Sequence, residues 1–177
     1  MSQEEQVILV DECDIELGCI GKMRAHRDGL LHRAFSVFLF NDSGEMLLQK
    51  RAMAKYHSPG LWTNTCCSHP RPGETTETAA LRRLKEEMGI TCHLNKAYSF
   101  VYQSDVGNGL IEHEFDHVYT GITNALPIPN SDEVMDFRYI EIDHLMAEIS
   151  ETPGAFTTWF KITLGSLLSH RKDLQLI

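Results

Sequence analysis

The chain has 177 residues and a mass of 20.1 kDa, enough for one domain with a sizeable core and too little for a tandem-domain enzyme. Its composition, 42% hydrophobic and 23% charged with 12 Gly and 6 Pro, excludes disordered, collagen-like and low-complexity chains. A formal net charge of -9 argues against nucleic-acid or anionic-membrane partners, so an anionic substrate would need a local basic patch or a bound cation.

No apolar run reaches the roughly 18–20 residues of a membrane span, and the start, MSQEEQVILVDE, is acidic where a signal peptide is basic. The expectation is a soluble, cytoplasmic chain. Repeats, charge blocks and Ser/Pro/Gly linkers are absent from the sequence, so one domain over residues 1–177 is expected. The five cysteines form an odd set and are read as reduced thiols, with Cys13, Cys19 and Cys92 as small buried hydrophobes.

In chain order, residues 7–10 form a short apolar run. Residues 34–40 (AFSVFLF) have the aromatic and β-branched content of a buried strand. The Asn41-Asp42-Ser43-Gly44 turn leads into a second strand over 45–50, which predicts a hairpin with a four-residue loop. Residues 56–72 hold Pro59, Pro70 and Pro72 and are expected to be irregular, with Trp62 and its threonines able to support a short strand.

Residues 74–88 place Ala80, Leu81, Leu84 and Met88 at helical spacing, and Gly89 is the stop. Residues 97–103 and 111–120 read as strands of a hairpin joined by a turn over 104–109. Residues 134–140 read as a strand, and 144–149 and 156–168 as helices. The mixture predicts an α+β fold, a mostly antiparallel or mixed sheet with helices on its faces.

Three constellations carry chemical potential. His26, His32 and His69, with Glu112 and Glu114 two apart on one strand face, suit a divalent metal. Alternation alone favours Glu112, Glu114 and Asp116 as the solvent face of an amphipathic strand, with Ile111, Phe115 and Tyr119 facing the core. Cys66 and Cys67 precede His69 without the second Cys or His pair of a structural zinc site, which leaves a pocket thiol able to act as acid, base or nucleophile. Lys22, Arg51, Lys55, Arg82 and Arg83 could gather around a phosphate group or be separate surface charges.

Residues 68–90 resemble a degenerate Nudix box in which Glu74, Arg82, Glu86, Glu87 and Gly89 keep their places. Ser68 stands where the first Gly would be, and Arg83 where Nudix hydrolases carry a metal-binding Glu. Over nearly its whole length the chain resembles the type I isopentenyl-diphosphate isomerase family. The carriers are Leu31-His32-Arg33-Ala34-Phe35-Ser36, Arg51-Ala52-Met53-Ala54-Lys55, Trp62-Thr63-Asn64-Thr65-Cys66-Cys67-Ser68-His69-Pro70, Glu112-His113-Glu114 and Trp159. Thr158 precedes that tryptophan where the family often has Pro.

The resemblance implies a Nudix-like mixed β-sheet sandwiched by helices and interconversion of isopentenyl and dimethylallyl diphosphate for isoprenoid synthesis. It implies His26, His32, His69, Glu112 and Glu114 as ligands of a tightly bound metal, and this donor set accepts manganese, zinc or magnesium. Glu87 corresponds to the residue of a second metal, magnesium, that bridges the diphosphate. Cys67 and Glu114 correspond to the catalytic pair, Tyr102 to an assisting hydroxyl, and Lys22, Arg51, Lys55 and Arg83 to the diphosphate-binding cations. Trp159 would stabilise developing positive charge through its π face. The implied partner is a small prenyl diphosphate, and the chain is expected to be a monomer or weak homodimer. A Nudix-type diphosphate hydrolase is the alternative enzyme, and a metal-binding or redox module on Cys66, Cys67 and His69 the non-enzymatic one.

Overall fold

The computed structural model describes residues 5–170; the first four residues of the acidic start and residues 171–177 lie outside it. The elements in order are β1 (Gln6–Val10), β2 (Glu16–Gly21), α1 (Lys22–Asp28), β3 (His32–Phe40), β4 (Met46–Arg51), β5 (Trp62–Thr63) and β6 (Cys66–Ser68). Then follow α2 (Thr76–Met88), β7 (Asn95–Gly107), β8 (Leu110–Ile122), β9 (Val134–Ile140), α3 (Ile142–Glu151), a 3-10 turn (Pro153–Ala155) and α4 (Thr158–Ser169).

The apolar run of β3 lies at the centre of the sheet because it is buried on both faces. Phe35, Val37 and Leu39 pack with Ala80, Leu84 and Met88 of α2. Phe38 and Phe40 pack on the other side with Trp159, Phe160 and Leu164 of α4 and Leu145 of α3. Period-two alternation thus feeds two cores, and the mixed sheet is sandwiched by helices as expected.

Pairing departs from the simple hairpin expected around residue 43. The turn forms, but β3 and β4 meet only at Phe40 and Met46. β3 instead runs parallel to β8, from His32 opposite Glu114 to Phe40 opposite Ile122, and antiparallel to β6. β4 pairs with β5 and β9. The second hairpin is longer than expected: residues 104–107 continue β7, and Asn108 and Gly109 make the turn in left-handed conformations.

Helix ends follow their signals. Thr75 caps α2 by accepting from the Thr78 amide at 3.2 Å. Gly89 closes it at φ 68 with its amide bonded to the Lys85 carbonyl. A Cβ at Gly89 would meet the Ile128 carbonyl oxygen at 2.6 Å. Gly89→Ala is therefore expected to destabilise the chain by about 2 kcal/mol or more, and an unchanged urea midpoint would contradict this account. Thr157 caps α4 and leaves Thr158 at its first helical position, where proline is also well tolerated. The departure from the family at Thr158 therefore leaves the helix start intact.

The expected burial of Cys13 and Cys19 is not observed: both are exposed, and Cys92 is half-buried. Cys19 lies on the edge strand β2 and Cys13 in the turn before it, so neither has a covering layer. All five thiols are free.

Candidate active site

α1 begins after Gly21 and places Lys22 and His26 one turn apart on the same helix face. His26 Nδ1–H donates to the Lys22 carbonyl at 2.8 Å, and His32 Nδ1–H donates to the Leu30 carbonyl at 2.7 Å. Because a carbonyl only accepts, each ring keeps its Nε2 lone pair free. His69 follows β6, and its Nε2 lies 3.2 Å from His32 Nε2 and 3.1 Å from Glu114 Oε1.

The ring centroids of His26, His32 and His69 are 4.9–5.5 Å apart. These imidazoles and Glu114 offer four buried ligand atoms, all within 4.8 Å of one another. Nitrogen lone pairs crowded against a carboxylate favour a cation, and His69 Nδ1 is buried without a partner. The donor set fits a divalent metal. Among the described residues the cluster includes no cysteine, which separates it from Cys66 and Cys67.

Glu112, Glu114 and Asp116 face inward on β8 and are buried, so the solvent-face reading of this strand is overturned. That face is covered by the side chains of His32, His69 and Tyr102, which meet the carboxylates directly. Tyr102 of β7 pairs with Glu114, and its hydroxyl lies 2.8 Å from Glu114 Oε2 and 3.0 Å from Glu112 Oε2. One phenolic proton cannot serve both oxygens. Burial and the Glu114 charge push Glu112 well up, making it the carboxyl that supplies the second proton. Burial opposes ionisation of Glu114, and only a proton or a metal ion among the His32 and His69 nitrogens would hold it well below the usual carboxylate range.

Cys67 lies opposite Ser36 on β3. Alternation sends Cys66 into the α2 core and turns Cys67 to the other face of the sheet, where it lines the cleft. Burial and the nearby Glu87 carboxylate push the Cys67 thiol up, so it holds its proton.

These groups open into a cleft of about 620 Å³ counting its mouth, which Lys22, Arg51, Lys55 and Arg83 line together. Lys22 is held by Glu5 at 3.0 Å and Lys55 by Glu133 at 2.5 Å. Arg83 reaches Glu86 at 2.9 Å, Glu87 at 2.7 Å and Glu133 at 3.2 Å. Burial works against the Arg83 cation, but these neighbours more than compensate and its pKa is raised. Glu87 also accepts from Gln49 Nε2 at 2.8 Å.

Arg82 has a different place. It forms two 2.8 Å bonds to Glu74 and so braces the loop before α2. Trp159, in the first turn of α4, is buried and lines the cleft, with the Arg51 guanidinium 5.1 Å from its ring centroid. Sequence reasoning missed Ser36, Gln49, Tyr56, His57 and Glu133 in the lining. Period two along β4 offered a weak signal for Gln49, whereas the others carried none.

In the metal-free chain, burial lowers His57 to about 3 and His69 and His117 to about 4 from an ordinary 6.5. Each takes up a proton on unfolding below that value, so stability falls as pH drops from 6.5 toward 4. Burial and Glu114 raise Asp116 to about 8 from 3.8, and its contribution instead declines as pH rises between those values. Burial also lowers His26, and Glu112 is raised as Asp116 is, so four imidazoles outweigh two carboxyls below pH 6.5. The urea midpoint of the chelator-treated chain is expected to peak near that pH, and a flat profile down to pH 4 would refute the assignment.

A helix-flanked mixed sheet whose loop-helix box borders a buried His/carboxylate cluster defines a NUDIX-fold protein. The NUDIX domain model matches residues 30–160. A solved Deinococcus radiodurans protein superposes with a TM-score of 0.73 at 25% identity over 86% of this chain and 93% of its own. A MutT protein of Methanosarcina mazei gives a TM-score of 0.57 at 18% identity over 66% of this chain and 81% of its own.

Isopentenyl-diphosphate Delta-isomerase 1 of Aromatoleum aromaticum is 51% identical over 96% of both chains. Isopentenyl-diphosphate Delta-isomerase of Photobacterium profundum is 53% identical over 94% of this chain and 96% of its own. The chain belongs to the isopentenyl-diphosphate isomerase family of the NUDIX fold.

Proposed function

We propose that the chain is one isomerase domain over residues 1–177 that interconverts isopentenyl and dimethylallyl diphosphate. The observation that carries this reading is the convergence in one cleft of a thiol, a carboxyl-phenol pair, an indole and four cations. Moving a double bond by one carbon requires proton addition at one carbon and removal at another, through a species with tertiary carbocation character. Cys67 and Glu114 come from strands on either side of β3 and act as the general acid-base pair. Tyr102, bonded to both carboxyls, orients the Glu114 oxygen and passes its proton.

Lys22, Arg51, Lys55 and Arg83 hold the diphosphate, and Trp159 presents aromatic surface to the cationic hydrocarbon. Closure of substrate over this surface excludes the water that would capture the cation. His26, His32, His69 and Glu114, with Glu112 beside them, would hold the tightly bound manganese, zinc or magnesium, and Glu87 a magnesium shared with the diphosphate. These ions supply positive charge that tunes the carboxyl and neutralises phosphate oxygens. Arg83, bonded to Glu86 and Glu87 where a hydrolase carries a metal-binding Glu, argues against the hydrolase alternative.

Proton NMR of the protein with isopentenyl diphosphate and magnesium in deuterated water tests the reading. Dimethylallyl diphosphate carrying solvent deuterium is expected. Intact substrate in the presence of added metal and reductant, or phosphate release outpacing allylic product, would sink it.

A further inference from the structure

His57 touches both Arg51 and Trp159 in the cleft lining. Its ring is buried, with Nδ1 3.3 Å from Arg51 Nη2, and its carbonyl accepts from the same Nη2 at 3.1 Å. The same ring meets the Trp159 indole at 5.2 Å and 75°, while Tyr56 packs on it at 4.3 Å and 72°. Arg51 has its Nε buried without a partner, so its contacts to His57 fix where the guanidinium points.

The geometry points to His57 as a positioning residue: its Nδ1 lone pair aims Arg51 at the diphosphate while its ring face sets the angle of Trp159. This rests on the isomerase reading for the roles of those two residues. A guanidinium only donates, so Nδ1 must be a lone pair and the proton must sit on Nε2. Burial and the Arg51 charge together keep the ring neutral. A protonated ring would oppose two N–H groups and push Arg51 off the indole. The positive φ of the next residue, Ser58 at 48°, and the bond from the Gly60 amide to the Arg51 carbonyl close the loop that carries the ring.

Two substitutions separate the two contacts. His57→Phe keeps a ring against Trp159 and removes the acceptor. His57→Asn keeps an acceptor oxygen near Nδ1 and removes the ring. His57→Phe is expected to raise KM for isopentenyl diphosphate about tenfold with kcat within twofold, the size of one lost charge-assisted hydrogen bond. The same variant should weaken binding of methylenediphosphonate with magnesium by a similar factor. His57→Asn is expected to lower kcat about tenfold, with KM and the diphosphonate Kd within twofold. Variants that shift the same parameter together, or that shift none, overturn the proposal.

Nitrogen-15 NMR of the wild-type ring gives a check that needs no variant. An Nε2–H tautomer with unprotonated Nδ1 from pH 5.5 to 8 is expected, and an Nδ1–H or doubly protonated ring overturns the assignment. If the wild type failed to isomerise its substrate, the functional reading would fall by that result alone. The diphosphonate and nitrogen-15 measurements would still decide whether His57 aims Arg51.

Discussion

Replacing Cys67 with alanine is expected to lower turnover by about a thousandfold while leaving the bound metal unchanged. The activity loss follows from the thiol's place in the cleft and its raised pKa. A positioned acid-base group contributes typically 10²–10⁴-fold. The intact metal follows from the ligand cluster, which draws on imidazoles and Glu114 rather than on sulfur. Cys67→Ser should behave the same way, because a hydroxyl is a far weaker acid than a thiol. Metal analysis beside deuterium incorporation separates this outcome from a redox or metal-sulfur module, in which losing Cys67 would strip the metal. A serine variant with more than a tenth of wild-type turnover would remove Cys67 from the chemistry.

The second large effect belongs to Glu114, which joins the metal cluster to the proton path. Glu114 Oε1 lies 3.1 Å from His69 Nε2, and its other oxygen accepts from Tyr102 at 2.8 Å. Glu114→Gln keeps the volume and removes the charge that draws a cation among the three imidazoles. Bound divalent metal is expected to fall more than tenfold and turnover about a thousandfold. Metal at a thousand times its Kd contributes about 4 kcal/mol, worth roughly 10 °C in Tm for a chain of this length. Added metal should therefore raise the wild-type Tm by about 10 °C and the Gln variant's by several degrees less. Equal metal protection of both proteins would show that Glu114 is not a ligand.

Much of this site was legible in the chain because its signals are local. The 74–88 periodicity with its terminal glycine gives α2, and a spacing of two puts Glu112 and Glu114 on one face. The Trp62 to Pro70 run carries the family resemblance, and its two short strands place Cys67 and His69 near β3. Alternation could not say which face of β8 is wet. A strand with charge on one side and apolar residues on the other looks the same whether its carboxylates meet water or a buried cluster. Here Tyr102 and the three imidazoles cover that face and decide the matter, and they arrive from distant parts of the sequence.

The sequence by itself determined most of the elements, though not β2 or α1, together with the box around α2, the identities of the metal-type donors and the family to which the chain belongs. Caps, periodicity and short motifs are written in neighbouring residues, so they can be read without knowing the partners. Only the tertiary structure decided that β3 abandons β4 for β8, that Arg82 braces Glu74 while Arg83 enters the cleft, and that His57 stands between Arg51 and Trp159. Those choices depend on which surfaces bury one another. Burial energy is a property of the assembled layers, and no single segment encodes it.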